Sequence, residues 1–242
     1  MKALIFAAGL GTRLKPLTDS IPKALVPIAG KPLLEHVITK LIAAGCNEII
    51  VNVHHFPEQI IDFLESKNNF DIRIDISDER ELLLDTGGAV RKVAHFFADG
   101  GPFLVHNVDI LSNVDLRDLY ATHLQNNALA TLVVSSRNTF RYLLFDKNDN
   151  LKGWVNEKTG ETKPSSFVLD KTYSKYAFSG IQVLSPKVFE LMQAYGEVFS
   201  IMDFYLNNCS GEIIRAYVPN NYRMIDVGKL DVLDDAEAFV KE

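Results

Sequence analysis

"FAAGLGTRLKPLTDSIPKALVPIAGKP", Phe6 to Pro32, follows a strand, Lys2 to Ala7, that is apolar on both faces. The loop runs to about Lys31 through Pro16, Pro22 and Pro27, which is long for a strand-to-helix connection. Long loops in compact domains often carry function. A dinucleotide fingerprint requires a third glycine where this chain has Leu14, and a carboxylate ending the second strand, which here ends "VNVHH". A Walker loop fails as well, because Gly9 is followed five residues later by Leu14, and Lys15 by Pro16. What remains is a glycine turn, Thr12-Arg13, then Pro22-Lys23. Glycines let backbone N–H groups approach phosphate oxygens, Arg13 offers a fixed fork of donors and Lys23 a mobile point charge. Two cations converging on one ligand suit a polyphosphate.

The rest of the composition narrows the partners. With 242 residues and 47% apolar side chains the chain can bury a substantial core, and one domain with a lobe-like insertion is expected. The formal net charge is −6 and the basic residues are scattered, so no stripe suited to nucleic acid exists. Cys46 and Cys209 lack a CxxC or Cys/His setting and read as buried thiols in a reducing compartment. The opening "MKALIFAAGLG" reads as a buried strand rather than a secretion signal, and no apolar run is long enough to span a membrane. A cytoplasmic protein with no membrane or nucleic-acid partner is the expectation.

Pro32 opens a helix with Leu33, Leu34, Val37, Ile38, Leu41 and Ile42 on one face, ending at Gly45. "NEIIVNV" reads as a second buried strand and "FPEQIIDFLESK" as a helix started by Pro57. "FDIRIDIS" alternates as a strand with Phe70, Ile72, Ile74 and Ile76 on one side, and a third helix is expected from about Gly88 to Phe97. "PFLVHNVDIL" reads as one strand with Asp109 near its C-terminal end, where open α/β sheets bind ligands. Asp115 can cap the helix "DLRDLYATHLQNN", and "ALATLVVSS" is another strand. The fold class is therefore α/β: a Rossmann-like, doubly wound, mixed and mainly parallel sheet with helices on both faces.

After Ser136 the pattern changes to hairpins: "RYLLFDKNDNLKGWV" around Lys147 to Asn150, then the polar "NEKTGETKPSS". A strand "YAFSGIQVLS", two short helices from Pro186 and near Ser200, a strand "EIIRAYVP" and a helix from Lys229 follow. No repeat is visible, and in particular no hexapeptide tail after Gly228.

"AAGLGTRLKPLTDSIPKALVP" resembles the signature of the sugar-1-phosphate nucleotidyltransferases. "LLDTGGAV" at 83–90, "HNVDIL" at 106–111, "FSGIQVL" at 178–184 and "MIDVG" at 224–228 match in the expected order, so the resemblance covers nearly the whole chain. It implies one domain over 1–242: a nucleotide-binding core at 1–136, a sugar-binding part with a second metal ligand at 137–228, and a C-terminal helix at 229–242. It also implies that an anomeric phosphate oxygen attacks the α-phosphorus of a nucleoside triphosphate, expelling pyrophosphate. Such a transfer depends on positioning and charge neutralisation.

Carried over residue by residue, the resemblance makes Arg13 and Lys23 catalytic. It places Gly11, Thr12 and Arg13 on the β- and γ-phosphates, Lys23 near the α-phosphate, and Asn107 on the nucleoside. Ala8, Gly9, Gly87 and Gly88 would face the base. Asp109 and Asp226 would hold Mg²⁺, which takes oxygen ligands and needs only one or two carboxylates beside the substrate phosphates. Asp85, Glu157, Ser179 and Gly180 are candidates for the sugar. Trp154 in the hairpin insertion reads equally as a sugar contact or as packing, and His54 and His55 point to opposite faces of a strand, so one metal does not easily use both and a surface or sugar-edge role is expected.

Val108 stands where the family usually has glycine, and Met224 where a tryptophan is common, which bears on base preference before catalysis. The chain looks most like the N-acetylmuramate-1-phosphate uridylyltransferases, with mannose-1-phosphate guanylyltransferases as close competitors, so UTP or GTP and a sugar 1-phosphate are the expected partners. Thymidylyl- and cytidylyl-transferring relatives, those acting on phosphocholine included, stay open, as does a nucleotide sensor that has lost activity. An NAD-dependent dehydrogenase would need the ribose carboxylate that the second strand lacks. Oligomeric state is not legible.

Overall fold

A computed structural model describes residues 1–165, 167, 169–170 and 172–241. Strand β1 (Lys2–Phe6) leads into the glycine loop, which is pinned by 3-10 turns at Thr12–Leu14, Leu17–Asp19 and Lys23–Leu25. A small ribbon of β2 (Pro27–Ile28) and β3 (Lys31–Pro32) closes it before α1 (Leu33–Ala43). The expected helix end is present: Gly45 adopts φ +99° and the chain turns into β4 (Glu48–Val53). Then come α2 (Pro57–Ser66), β5 (Arg73–Asp78), α3 (Asp85–Lys92), β6 (Phe103–Asn107), β7 (Ile110–Ser112), α4 (Leu116–Asn126) and β8 (Ala130–Ser135). Asp115 does cap α4, accepting from the backbone N–H groups of Arg117 and Asp118.

Strands β5, β4, β1 and β6 run parallel, in that order. Beyond β6 the long strand β12 (Ser174–Leu184) enters antiparallel, and β8 pairs along its far side. Successive residues of β1 alternate between two cores: Ala3 and Ile5 pack on the face carrying α1, Leu4 on the face carrying Phe96 and Phe97. That alternation is the physical content of a doubly wound sheet, with one apolar layer per face.

The hairpin insertion is β9 (Arg141–Phe145), β10 (Leu151–Asn156) and β11 (Glu161–Lys163), stacked onto the first half of β12. Ser166, at the end of the polar stretch 156–166, lies outside the described residues. Helices α5 (Lys187–Leu191) and α6 (Ile201–Asn208), strands β13 (Ile214–Tyr217) and β14 (Met224–Asp226), and helix α7 (Leu233–Lys241) complete the chain.

Four expectations need correction. "PFLVHNVDIL" is not one strand: the chain turns at Val108-Asp109, and β7 leaves the main sheet to pair with β14. Helix α3 runs from Asp85 to Lys92, so it starts before Gly88 and takes in Gly87, and a 3-10 turn over Ala94–Phe97 follows it. Strand β5 starts only at Arg73; Phe70 sits in a 3-10 turn with φ +56° and packs against Phe63. The last helix starts at Leu233, after a 3-10 turn over Leu230–Val232. Cys46 and Cys209 are buried free thiols, and burial pushes the Cys46 thiol up to about 11.

Candidate active site

A cleft of about 590 Å³ opens at the C-terminal ends of β1, β4 and β6. The glycine loop forms one wall. Gly11 holds φ +64°, and a Cβ there would lie 2.8 Å from Thr18 Cγ2, whose hydroxyl donates to the Gly11 carbonyl at 2.8 Å. Gly9 differs: nothing lies within 4 Å of where its Cβ would point, so its bare backbone faces the cleft. Leu14 and Ala24 are fully buried and anchor the loop, leaving Thr12 and Arg13 exposed at the cleft.

The catalytic candidates converge as expected. Lys23, only 7% exposed, donates to Asp109 Oδ2. Asp109 occupies the turn after β6, and the Val227 N–H donates to its carbonyl at 2.8 Å. Pairing of β14 with β7 thus carries Asp226 from a distant part of the sequence to Asp109. Arg13 and Asp226 flank Gly228, where an added Cβ would meet Arg13 Nη2 and Asp226 Oδ1 at 2.8 Å each. Burial pushes the Asp226 carboxyl above the usual range, the charge of Asp109 adds to this, and Lys23, Arg13 and Arg137 oppose it.

Asp109 and Asp226 suit a magnesium ion, which needs only one or two protein carboxylates beside substrate phosphates. Among the described residues no group of three or more acidic, His or Cys side chains gathers to hold a metal unaided.

The other candidates divide. Ala8, Gly9, Gly11, Thr12, Asn107 and Asp85 line the cleft. Asp85 starts α3 with φ +57° and accepts from the Thr86 hydroxyl. Gly87 and Gly88 do not line it: the Gly87 N–H donates to the Phe199 carbonyl at 2.9 Å, and both glycines pack against the 197–199 segment. Gly180 (φ +73°) sits behind the cleft, where a Cβ would come 2.8 Å from Asn107 Nδ2. Ser179 is 1% exposed, its hydroxyl buried and without a hydrogen bond. Glu157 is exposed on the hairpin and accepts from Lys175 Nζ at 2.8 Å. Trp154 lies half-buried in β10 with Lys163 over its ring. His54 bonds the Glu79 carbonyl while His55 packs on Phe56. Val108 is buried in the core, and Met224 packs at that core's edge.

Sequence reasoning missed Asn52, Glu79, Thr86 and Gly228, together with the apolar rim of Leu10, Leu83 and Val198. Asn52 left a signal, a lone amide in the otherwise apolar "IIVNV". Behind the 80–84 segment lies a second recess of about 610 Å³. Its cations are engaged: Arg91 donates to the Met192 and Tyr195 carbonyls, Lys92 to the Asp78 carbonyl, and Arg80 pairs with Asp78 and Glu58. The first cleft, by contrast, has Arg13 exposed at its wall.

The doubly wound sheet thus brings a glycine loop, two cations and two carboxylates together around one cleft. The profile described as "Nucleotidyl transferase" matches residues 2–242, and the chain belongs to that family. Relatives include a mannose-1-phosphate guanyltransferase of Gibberella zeae, 42% identical over 56% of this chain and 37% of that one. An N-acetylmuramate alpha-1-phosphate uridylyltransferase of Caulobacter vibrioides is 42% identical over 44% of this chain and 45% of that one. The chain spans about half, or less, of the length of these curated relatives. Their names bear out the resemblance to sugar-1-phosphate nucleotidyltransferases. Among solved structures, HddC from Yersinia pseudotuberculosis superposes with a TM-score of 0.79 at 25% identity, covering 98% of each chain. A UDP-glucose pyrophosphorylase superposes at 0.78 with 20% identity, over 99% of this chain and 98% of that one, which bears out the fold. No described helix is long and apolar enough to cross a membrane.

Proposed function

We propose that the protein transfers a nucleotidyl group from a nucleoside triphosphate to a sugar 1-phosphate, forming a nucleotide sugar and releasing pyrophosphate. The observation that carries this reading is the convergence of Lys23, Arg13, Asp109 and Asp226 on one glycine-walled cleft. The backbone of Gly11 and Thr12 cradles the β- and γ-phosphates, with Arg13 alongside and Gly9 toward the base. Lys23 reaches the α-phosphate when the triphosphate draws it from Asp109. Asn107 and Ala8 hold the nucleoside, and residues 137–228 form the sugar side with Asp85 at its edge.

The sugar phosphate oxygen attacks the α-phosphorus, and the bond to pyrophosphate breaks opposite it. Arg13 and Lys23 offset the charge that grows on the departing group, a contribution of about 3 kcal/mol per well-placed donor. Asp109 and Asp226 would hold Mg²⁺, which supplies charge neutralisation across the phosphates. Uridylyl transfer to N-acetylmuramate 1-phosphate and guanylyl transfer to mannose 1-phosphate are the two leading pairs, because relatives named for each match at the same 42% identity.

The test is pyrophosphate release with Mg²⁺ across a grid of nucleoside triphosphates and sugar 1-phosphates. One pair should stand out and define the substrates. No release with any pair overturns the reading.

A further inference from the structure

At the floor of the cleft lies a carboxylate that none of the proposed chemistry uses. Glu79 is 2% exposed, and among the described residues no cation forms a salt bridge with it. A buried charge without a counter-ion is costly unless hydrogen bonds hold it. Here they do: Asn52 Nδ2 donates to Glu79 Oε1 at 2.9 Å, and the Leu84 N–H donates to Oε2 at 3.2 Å. Asn52, 3% exposed, turns its other end to the glycine loop, where its Oδ1 accepts from the N–H groups of Ala7 at 2.7 Å and Ala8 at 3.2 Å. Strand pairing of β1 with β4 and β6 ends at Phe6, so the Asn52 side chain takes over where the ladder stops.

We infer that Asn52 and Glu79 are positioning residues that clasp the two walls of the nucleotide cleft. One wall is the Ala7-Ala8 exit into the glycine loop. The other is the Glu79–Leu84 segment that leads into α3. Neither residue is assigned a contact with substrate. Their effect is to fix where the loop's N–H groups and the Leu83 rim stand, and hence nucleotide binding rather than sugar binding. The inference rests on the cleft being the nucleotide site.

The polarity of the clasp supplies its test. Asn52→Asp keeps the acceptor for Ala7 and Ala8 but loses the donor to Glu79 and sets two carboxylates together. The KM for the nucleoside triphosphate should rise about tenfold or more, the cost of one broken buried contact, while the KM for the sugar phosphate stays within about twofold. The double variant Asn52→Asp/Glu79→Gln reverses donor and acceptor: the new amide donates to the new carboxylate, and its oxygen still accepts from Leu84. Nucleotide KM should recover to within about threefold of wild type.

A lowered melting temperature in Asn52→Asp with nucleotide KM unchanged would assign the pair a merely structural role and overturn the inference. So would failure of the double variant to recover while remaining folded, since that outcome means the negative charge of Glu79 itself is needed. Wild-type protein showing no turnover with any pair, and no binding of any nucleoside triphosphate by calorimetry, would instead overturn the functional reading beneath it.

Discussion

Arg13 and Lys23 differ in setting: Arg13 is exposed beside Asp226, whereas Lys23 is buried against Asp109. Arg13→Ala should lower kcat for pyrophosphate release by about 10²-fold, with a smaller effect on sugar-phosphate KM. Steady-state kinetics with both substrates varied checks this. Gly180→Ala places a methyl group 2.8 Å from Asn107 Nδ2 at a residue with φ +73°. We expect a loss of about 1–2 kcal/mol in urea unfolding and a several-fold rise in nucleotide KM. At this scale the sequence was legible wherever a residue type is chemically distinctive: Arg13, Lys23 and Asp109 could be picked because little else in the chain combines their charge with a glycine turn. Asn52 and Glu79 could not, because an amide in a strand and a glutamate after one are ordinary until their partners are known.

The elements show why one pair of candidates changed meaning. The "DTGG" stretch carries two glycines, and a resemblance places them at the base. Helix α3, however, sets them against the 197–199 segment, and a Cβ on Gly87 would lie 2.4 Å from the Phe199 ring. Gly87→Ala should therefore destabilise the fold by about 1–3 kcal/mol through overpacking, measured as a lower midpoint of urea unfolding. Its nucleotide KM should shift only as far as α3 moves. Helix and strand existence was readable from periodicity and caps, as in α1, α2 and α4. The break at Val108-Asp109 was not, because "FLVHNVDILS" is apolar enough for one strand and only the partner strand β14 decides where β7 turns away.

Across the whole molecule the two cores bury histidines as well as apolar groups. Burial pulls both His106 and His123 down to about 4, and His123 is held by the Thr131 hydroxyl at 2.9 Å. A native histidine that resists protonation favours folding above its unfolded value near 6.5. Stability is therefore fully present above about pH 6.5 and is lost as pH falls toward 4, because the unfolded chain binds the proton first. Each histidine should contribute on the order of 2 kcal/mol to that loss by pH 4.5. Urea midpoints of wild type and His123→Gln at pH 7 and pH 4.5 check it: the variant should lose less stability between the two.

The sequence by itself determined the α/β class and most of the longer helices and strands, and it singled out the first loop as a candidate phosphate site. Those features depend on local periodicity, turn chemistry and spacing, which lie within a few residues of one another. Only the tertiary structure decided that Asp226 meets Asp109, that Gly87 and Gly88 serve packing, and that Asn52 joins Ala7 to Glu79. Such contacts join segments tens to more than a hundred residues apart, and their geometry is fixed by strand pairing and close packing rather than by any pattern along the chain.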